Sequence, residues 1–141
     1  MLLIEPTDRI GGLSAGGLGE TDIGKVDIIR GLSMDFYRRI GQAYGKTEPV
    51  FQFEPKVALS VFQSYLQEAG VKVLLPYRLC KVHKQHNDIS SITLENAHHT
   101  SIRCKVTAKV FLDCSYEGDL MARAGVTYTV GRESNAQYGE T

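Results

Sequence analysis

The chain has 141 residues, 43% of them apolar, which suits a single soluble domain with a modest hydrophobic core. Sixteen Lys and Arg balance sixteen Asp and Glu, so no basic field exists to concentrate phosphates, which argues against nucleic acid as a partner. A formal net charge of zero also gives little repulsion between copies, so self-association is easy.

Met1–Ile4 is a continuous apolar run ending at Glu5-Pro6. It is too short for a signal peptide or a membrane span, and a cytoplasmic location is the default expectation. Such a run suits a strand covered on both faces, as in a parallel sheet. Arg9–Gly19 holds five glycines in eleven residues, which makes a helix or strand interior expensive and predicts a loop able to approach a ligand closely. Lys25–Tyr44 reads as one interrupted helix or two, stopped by Gly45. Pro49–Phe53 reads as an extended linker. Pro55 suits a first helical position, and Val57, Val61, Phe62, Tyr65 and Leu66 keep helical spacing up to Gly70.

Val71–Leu75 is a second apolar strand. Arg78–His86, Ile89–Asn96 and His99–Val106 mix polar and β-branched residues around turn signals at Asn87-Asp88 and Asn96-Ala97, which predicts a three-stranded antiparallel meander. Ala108–Asp113 reads as a further buried strand, and Leu120–Ala124 as a short helix ended by Gly125. Helices alternating with apolar strands predict an α/β fold with a parallel sheet, the meander at about 78–106 being an excursion from it.

Cys80, Cys104 and Cys114 form no CxxC pair and read as three buried thiols. His83, His86, His98 and His99 all fall in the meander without supporting carboxylate or cysteine spacing, so they read as exposed turn residues and not as a metal site.

In a dinucleotide-binding fold the second parallel strand ends in an acidic residue that accepts hydrogen bonds from ribose hydroxyls, and Glu5 stands in that place. The GxGxxG turn that precedes such a strand by about twenty residues has no room in the four residues before Glu5. The sequence is therefore expected to begin at the second strand of a truncated, Rossmann-like FAD/NAD(P)-binding sheet.

Glu5, Arg9-Ile10-Gly11-Gly12, Ser14 and Gly16-Gly17 together resemble the acidic strand end and paired-glycine motif of glutathione-reductase-like flavoproteins. Val110–Leu120, reading VFLDCSYEGDL, resembles a segment of the FAD-dependent oxidoreductases related to the heterodisulfide-reductase flavin subunit. Ala124-Gly125-Val126, Val130–Glu133, Tyr138-Gly139-Glu140 and the helix entry Phe53-Glu54-Pro55 agree with it. The chain departs at Cys114 and Ser115, where that group has Ala and Thr, all of them small.

The resemblance implies an oxidoreductase that uses FAD, with residues 1–141 forming part of its FAD-binding domain. It places the cofactor against Glu5, Arg9, Gly11, Gly12 and Ser14, against the backbone of Leu79 at the adenine, and against the loop carrying Asp113, Ser115, Gly118 and Asp119. Arg9 suits a phosphate or a surface ion pair, and Asp119 a flavin contact or a helix cap. No catalytic acid or base and no substrate can be named. Two other readings stay open. One is a non-catalytic fragment or interaction module that binds no FAD alone and self-associates through exposed sheet edges. The other is an NAD-binding unit, which suits Glu5 but leaves the Asp113–Asp119 block without a role.

Overall fold

The computed structural model describes residues 1–139 and is a mixed α/β structure. It divides into two compact units, Met1–Arg78 with Asn96–Thr100, and Leu79–Glu95 with Ser101–Thr141.

In the first unit β1 (Leu2–Ile4) and β2 (Lys72–Leu74) pair in parallel, Leu3 opposite Val73. Both apolar runs are thus strands, but their faces are only half covered: Leu2 is 41% and Val73 39% exposed. The Arg9–Gly19 segment departs from the expected loop by containing α1 (Gly12–Gly16). Glycines form its caps and its first and last residues: Gly11 precedes it and Gly17 follows it, both at positive φ, Gly12 and Gly16 are its ends, and Leu13-Ser14-Ala15 supply the interior. The interrupted helix resolves into a 3-10 turn at Val26–Ile28 and α2 (Gly31–Ala43), with Gly45 at φ 69° beyond its end. Pro55 opens α3 (Pro55–Glu68), as its fixed φ and missing N–H favour.

Pro49–Phe53 is not a linker. Its backbone bonds Gly19 and Thr21, and Phe53 is buried. The hydrophobic pattern supplies the reason: Phe53 joins Phe36, Ile40, Ala58 and Val61 in the core between α2 and α3. Phe36 stacks on Phe62 with centroids 4.8 Å apart and meets Phe53 edge-on at 5.7 Å. Such aromatic pairs add about 0.5–1.5 kcal/mol each beyond area burial.

The second unit is built on β3 (Tyr77–Gln85), β4 (Asp88–Asn96) and β5 (Arg103–Val106), in spatial order β3-β4-β5. β4 and β5 pair antiparallel, with Leu94, 1% exposed, opposite Cys104. The last meander strand starts four residues later than expected because the Asn96 side-chain oxygen accepts the backbone N–H groups of His98 and His99 and closes a turn there. Ala108–Asp113, expected as a buried strand, is irregular, with Val110 72% and Leu112 78% exposed. An apolar run becomes a strand only where another strand offers its backbone groups, and no described strand pairs with this one. α4 (Asp119–Arg123) follows and ends before Gly125, as the sequence predicts.

The cysteines are free thiols, but none is buried: Cys80 and Cys104 are half-buried and Cys114 is exposed. His83 also differs from the expected turn residue, lying half-buried on β3 with Nε2 2.8 Å from Thr93 Oγ1. Among the described residues no helix is long and apolar enough to cross a membrane.

Candidate functional site

The candidate residues fall in both units, and each group stands on its own local structure. In the first unit, Glu5 leaves the C-terminal end of β1, its backbone N–H donating to Leu74 O and its carbonyl accepting from Tyr77 N. Its carboxylate is oriented by Thr7, whose backbone N–H donates to Oε1 at 2.9 Å and whose hydroxyl lies 2.7 Å from the same oxygen. That hydroxyl also lies 2.8 Å from the Arg9 carbonyl, and its single proton serves either acceptor. No hydrogen bond engages Oε2 among the described residues.

Arg9 forms no ion pair among the described residues. Its Nη1 donates to the Ala15 carbonyl at 3.0 Å, tying the approach to α1 onto the end of that helix. Among the described residues no side-chain hydrogen bond engages its other guanidinium N–H groups, and beside it lies an open groove of about 290 Å³ between α3 and β2, lined by Ile10, Leu59, Leu66, Val73 and Leu75.

The two paired glycines differ. A Cβ on Gly11 would lie 2.5 Å from Phe62 Cδ2 and 2.8 Å from Ala15 Cβ, so this position is held small by α3 itself. Gly12 is exposed and has φ 53°. Ser14 is half-buried within α1.

In the second unit Leu79 is half-buried on β3. The loop from Asp113 is organised around its carboxylate. Oδ1 accepts from the Ser115 backbone N–H at 3.0 Å and the Ser115 hydroxyl at 2.7 Å, and Oδ2 accepts from Met121 N at 2.9 Å. Ser115 Oγ in turn accepts from Asp119 N at 2.8 Å. The Ser115 hydroxyl above all, with the backbone N–H groups at the start of α4, holds the Asp113 carboxyl below the usual range.

The acid that caps α4 is therefore Asp113. Asp119 is the first helical residue, after Gly118 at φ 71° as the N-cap. Lys84 Nζ donates to Ala124 O and Arg123 Nη1 to Cys80 O, which fastens the far end of α4 to β3. Among the described residues no cluster of three or more His, Cys, Asp and Glu could hold a metal ion.

Two groups of residues escape sequence reasoning. Thr7, Asp8 and His98 support the Glu5 turn, with His98 Nε2 2.9 Å from Asp8 Oδ1. Only a folded backbone brings positions 8 and 98 together. The other group joins α2 to α3. Arg39 bonds Asp35 and Glu68 and lies 4.2 Å over the Tyr65 ring, while Tyr65 donates to Asp35 Oδ2 at 2.6 Å. Asp35 and Arg39 stand four apart on α2, a signal present in the sequence. Burial, then Asp35, pushes the Tyr65 hydroxyl up to about 12.

Neither a curated protein nor a solved structure matches the chain. The model of one protein family, FAD dependent oxidoreductase, matches residues 1–141. A strand-end carboxylate with one oxygen uncommitted and a glycine pair beyond it fit the ribose and phosphate ends of that family's cofactor. The chain belongs to the FAD dependent oxidoreductase family, and its cofactor is FAD.

Proposed function

We propose that this chain supplies the adenosine-binding strand end and a flavin-side loop of an oxidoreductase, residues 1–141 being part of its FAD-binding domain. The observation that carries the reading is Glu5: it ends a parallel strand, is oriented through Oε1 by Thr7, and keeps Oε2 for a ribose hydroxyl. Ligands of parallel α/β sheets bind outside the carboxyl ends of the strands, where Glu5 stands. Arg9, the exposed backbone at Gly12 and the half-buried Ser14 face the phosphates in this reading, and Leu79 lends backbone atoms to adenine. Gly118 and Asp119 serve the flavin side, while Asp113 and Ser115 shape that loop. FAD supplies hydride or electron transfer when bound, and the protein orients it.

Glu5→Gln in the flavin-loaded protein tests this. Losing charge-assisted bonds to the ribose should weaken FAD binding roughly ten- to hundredfold, with the stability of the flavin-free form nearly unchanged. An unaltered flavin titration removes the assignment.

The exposed Val110 and Leu112 favour a second reading, an interaction module without flavin of its own. The visible spectrum separates the two: stoichiometric yellow protein supports the first, and colourless protein after incubation with FAD supports the second.

A further inference from the structure

The turn from Glu5 to Arg9 is pinned at two places. At its base Thr7 holds Glu5 Oε1, and at its tip Asp8 meets His98, with Nε2 2.9 and 3.1 Å from the two carboxylate oxygens. Facing a carboxylate at that distance, Nε2 carries the proton and donates it.

His98 is itself fixed in place. Its backbone N–H donates to Asn96 Oδ1 at 3.0 Å, and the neighbouring Ala97 N–H donates to Pro76 O at 2.9 Å. Tyr77 N, one residue on, donates to the Glu5 carbonyl at 3.0 Å. These bonds close a ring that runs from Glu5 through Tyr77 and Pro76 to Ala97 and His98, then back through Asp8 and Thr7 to Glu5.

We propose that His98 is a positioning residue for the Glu5 carboxylate, acting through Asp8: the Asp8–His98 pair holds the turn in the form that presents Glu5 to a ribose diol. The proposal rests on the reading of Glu5 as the ribose ligand. The His98 and Asp8 side chains are 57% and 71% exposed, so their pair adds little to global stability. Its effect is local, because a short turn opens according to the few contacts that close it. Without the pair the carboxylate samples more orientations, and the ligand must restore the order on binding.

The test uses the flavin-loaded full-length protein, with flavin release read from the recovery of flavin fluorescence. His98→Ala should weaken FAD binding about two- to fivefold, the range open to an exposed ion pair, while leaving the unfolding midpoint in place. His98→Gln keeps a side-chain N–H for Asp8 and should restore most of the loss. Glu5→Gln is measured in parallel, alone and combined with His98→Ala. If His98 acts through Glu5, adding His98→Ala to Glu5→Gln changes nothing further. Loss with Glu5→Gln but none with His98→Ala overturns the positioning role and leaves the ribose reading standing. Additive losses, or a fallen unfolding midpoint with His98→Ala, also overturn it. No loss with Glu5→Gln overturns the ribose reading and the proposal with it.

Discussion

Gly11→Ala offers the sharpest test of how the glycine-rich segment is built. The backbone at Gly11 has φ 97°, where an L side chain is strained by about 1–2 kcal/mol. The added Cβ would stand 2.5 Å from Phe62 Cδ2 and 2.8 Å from Ala15 Cβ, both on packed elements. Overpacking of this kind costs about 1–3 kcal/mol. Together the change should cost about 2–5 kcal/mol, a large part of a stability of roughly 5–15 kcal/mol. With a mid-range urea slope of about 2 kcal/mol per molar, the unfolding midpoint should fall by about 1–2.5 M. The chain has no tryptophan and seven tyrosines, so tyrosine fluorescence reports the transition. Gly16→Ala is the control. It meets nothing within 4 Å and lies at the end of the same helix, so it should be neutral or stabilise by up to about 1 kcal/mol. Both proteins are measured without flavin. An unshifted midpoint for Gly11→Ala, or an equal loss for Gly16→Ala, would refute the packing argument.

Asp113→Asn should lower stability at neutral pH by about 0.5–1.5 kcal/mol, as loss of a helix cap does. Because the folded carboxyl is held below its unfolded value near pH ~3.9, its contribution is present above that pH and lost as pH falls through the folded value. The variant's acid-unfolding limb should therefore be flatter than the parent's below pH ~4, and identical limbs would show that Asp113 caps nothing. Tyr65, raised to about 12, should give a late phase in an absorbance titration. Its contribution is present below the unfolded value near pH ~10 and fades as pH rises towards the folded one. Tyr65→Phe should remove that late phase, and its persistence would disprove the assignment. Finally, the 141-residue chain should associate through the exposed Val110–Leu112 run and the free edge of β1, seen by light scattering as dimers or larger species that Leu112→Lys reduces. A monomer at every concentration would speak against those edges as interfaces.

Where the sequence is legible, one local rule decides the outcome. Pro55 and Gly70 bound α3 because a fixed φ and a left-handed one have few other uses, and the parallel strands follow from two short apolar runs on either side of it. Where it misleads, a distant partner decides. Counting glycines predicts no helix at Arg9–Gly19, yet Gly11 and Gly17 bracket a turn of helix against Phe62. Pro49–Phe53 reads as a linker until Phe53 finds Phe36. Ala108–Asp113 reads as a buried strand, but apolarity specifies burial and not a ladder partner.

The same distinction governs the cofactor residues. Resemblance assigns Asp113 and Asp119 to the flavin as equals, but their surroundings are unequal. Asp113 already accepts from Ser115 and from Met121, so an added ligand donor would have to displace a bond that holds α4 in place. Asp119 opens the helix with no such commitment among the described residues, and the backbone beside it is turned by Gly118 at φ 71°. A carboxylate that organises a loop and one that meets a ligand need opposite things, saturation in the first case and an open lone pair in the second. By that criterion Asp113 shapes this loop, and in the function proposed above it is Asp119 that would meet the flavin, as Glu5 Oε2 would meet the ribose in the first unit.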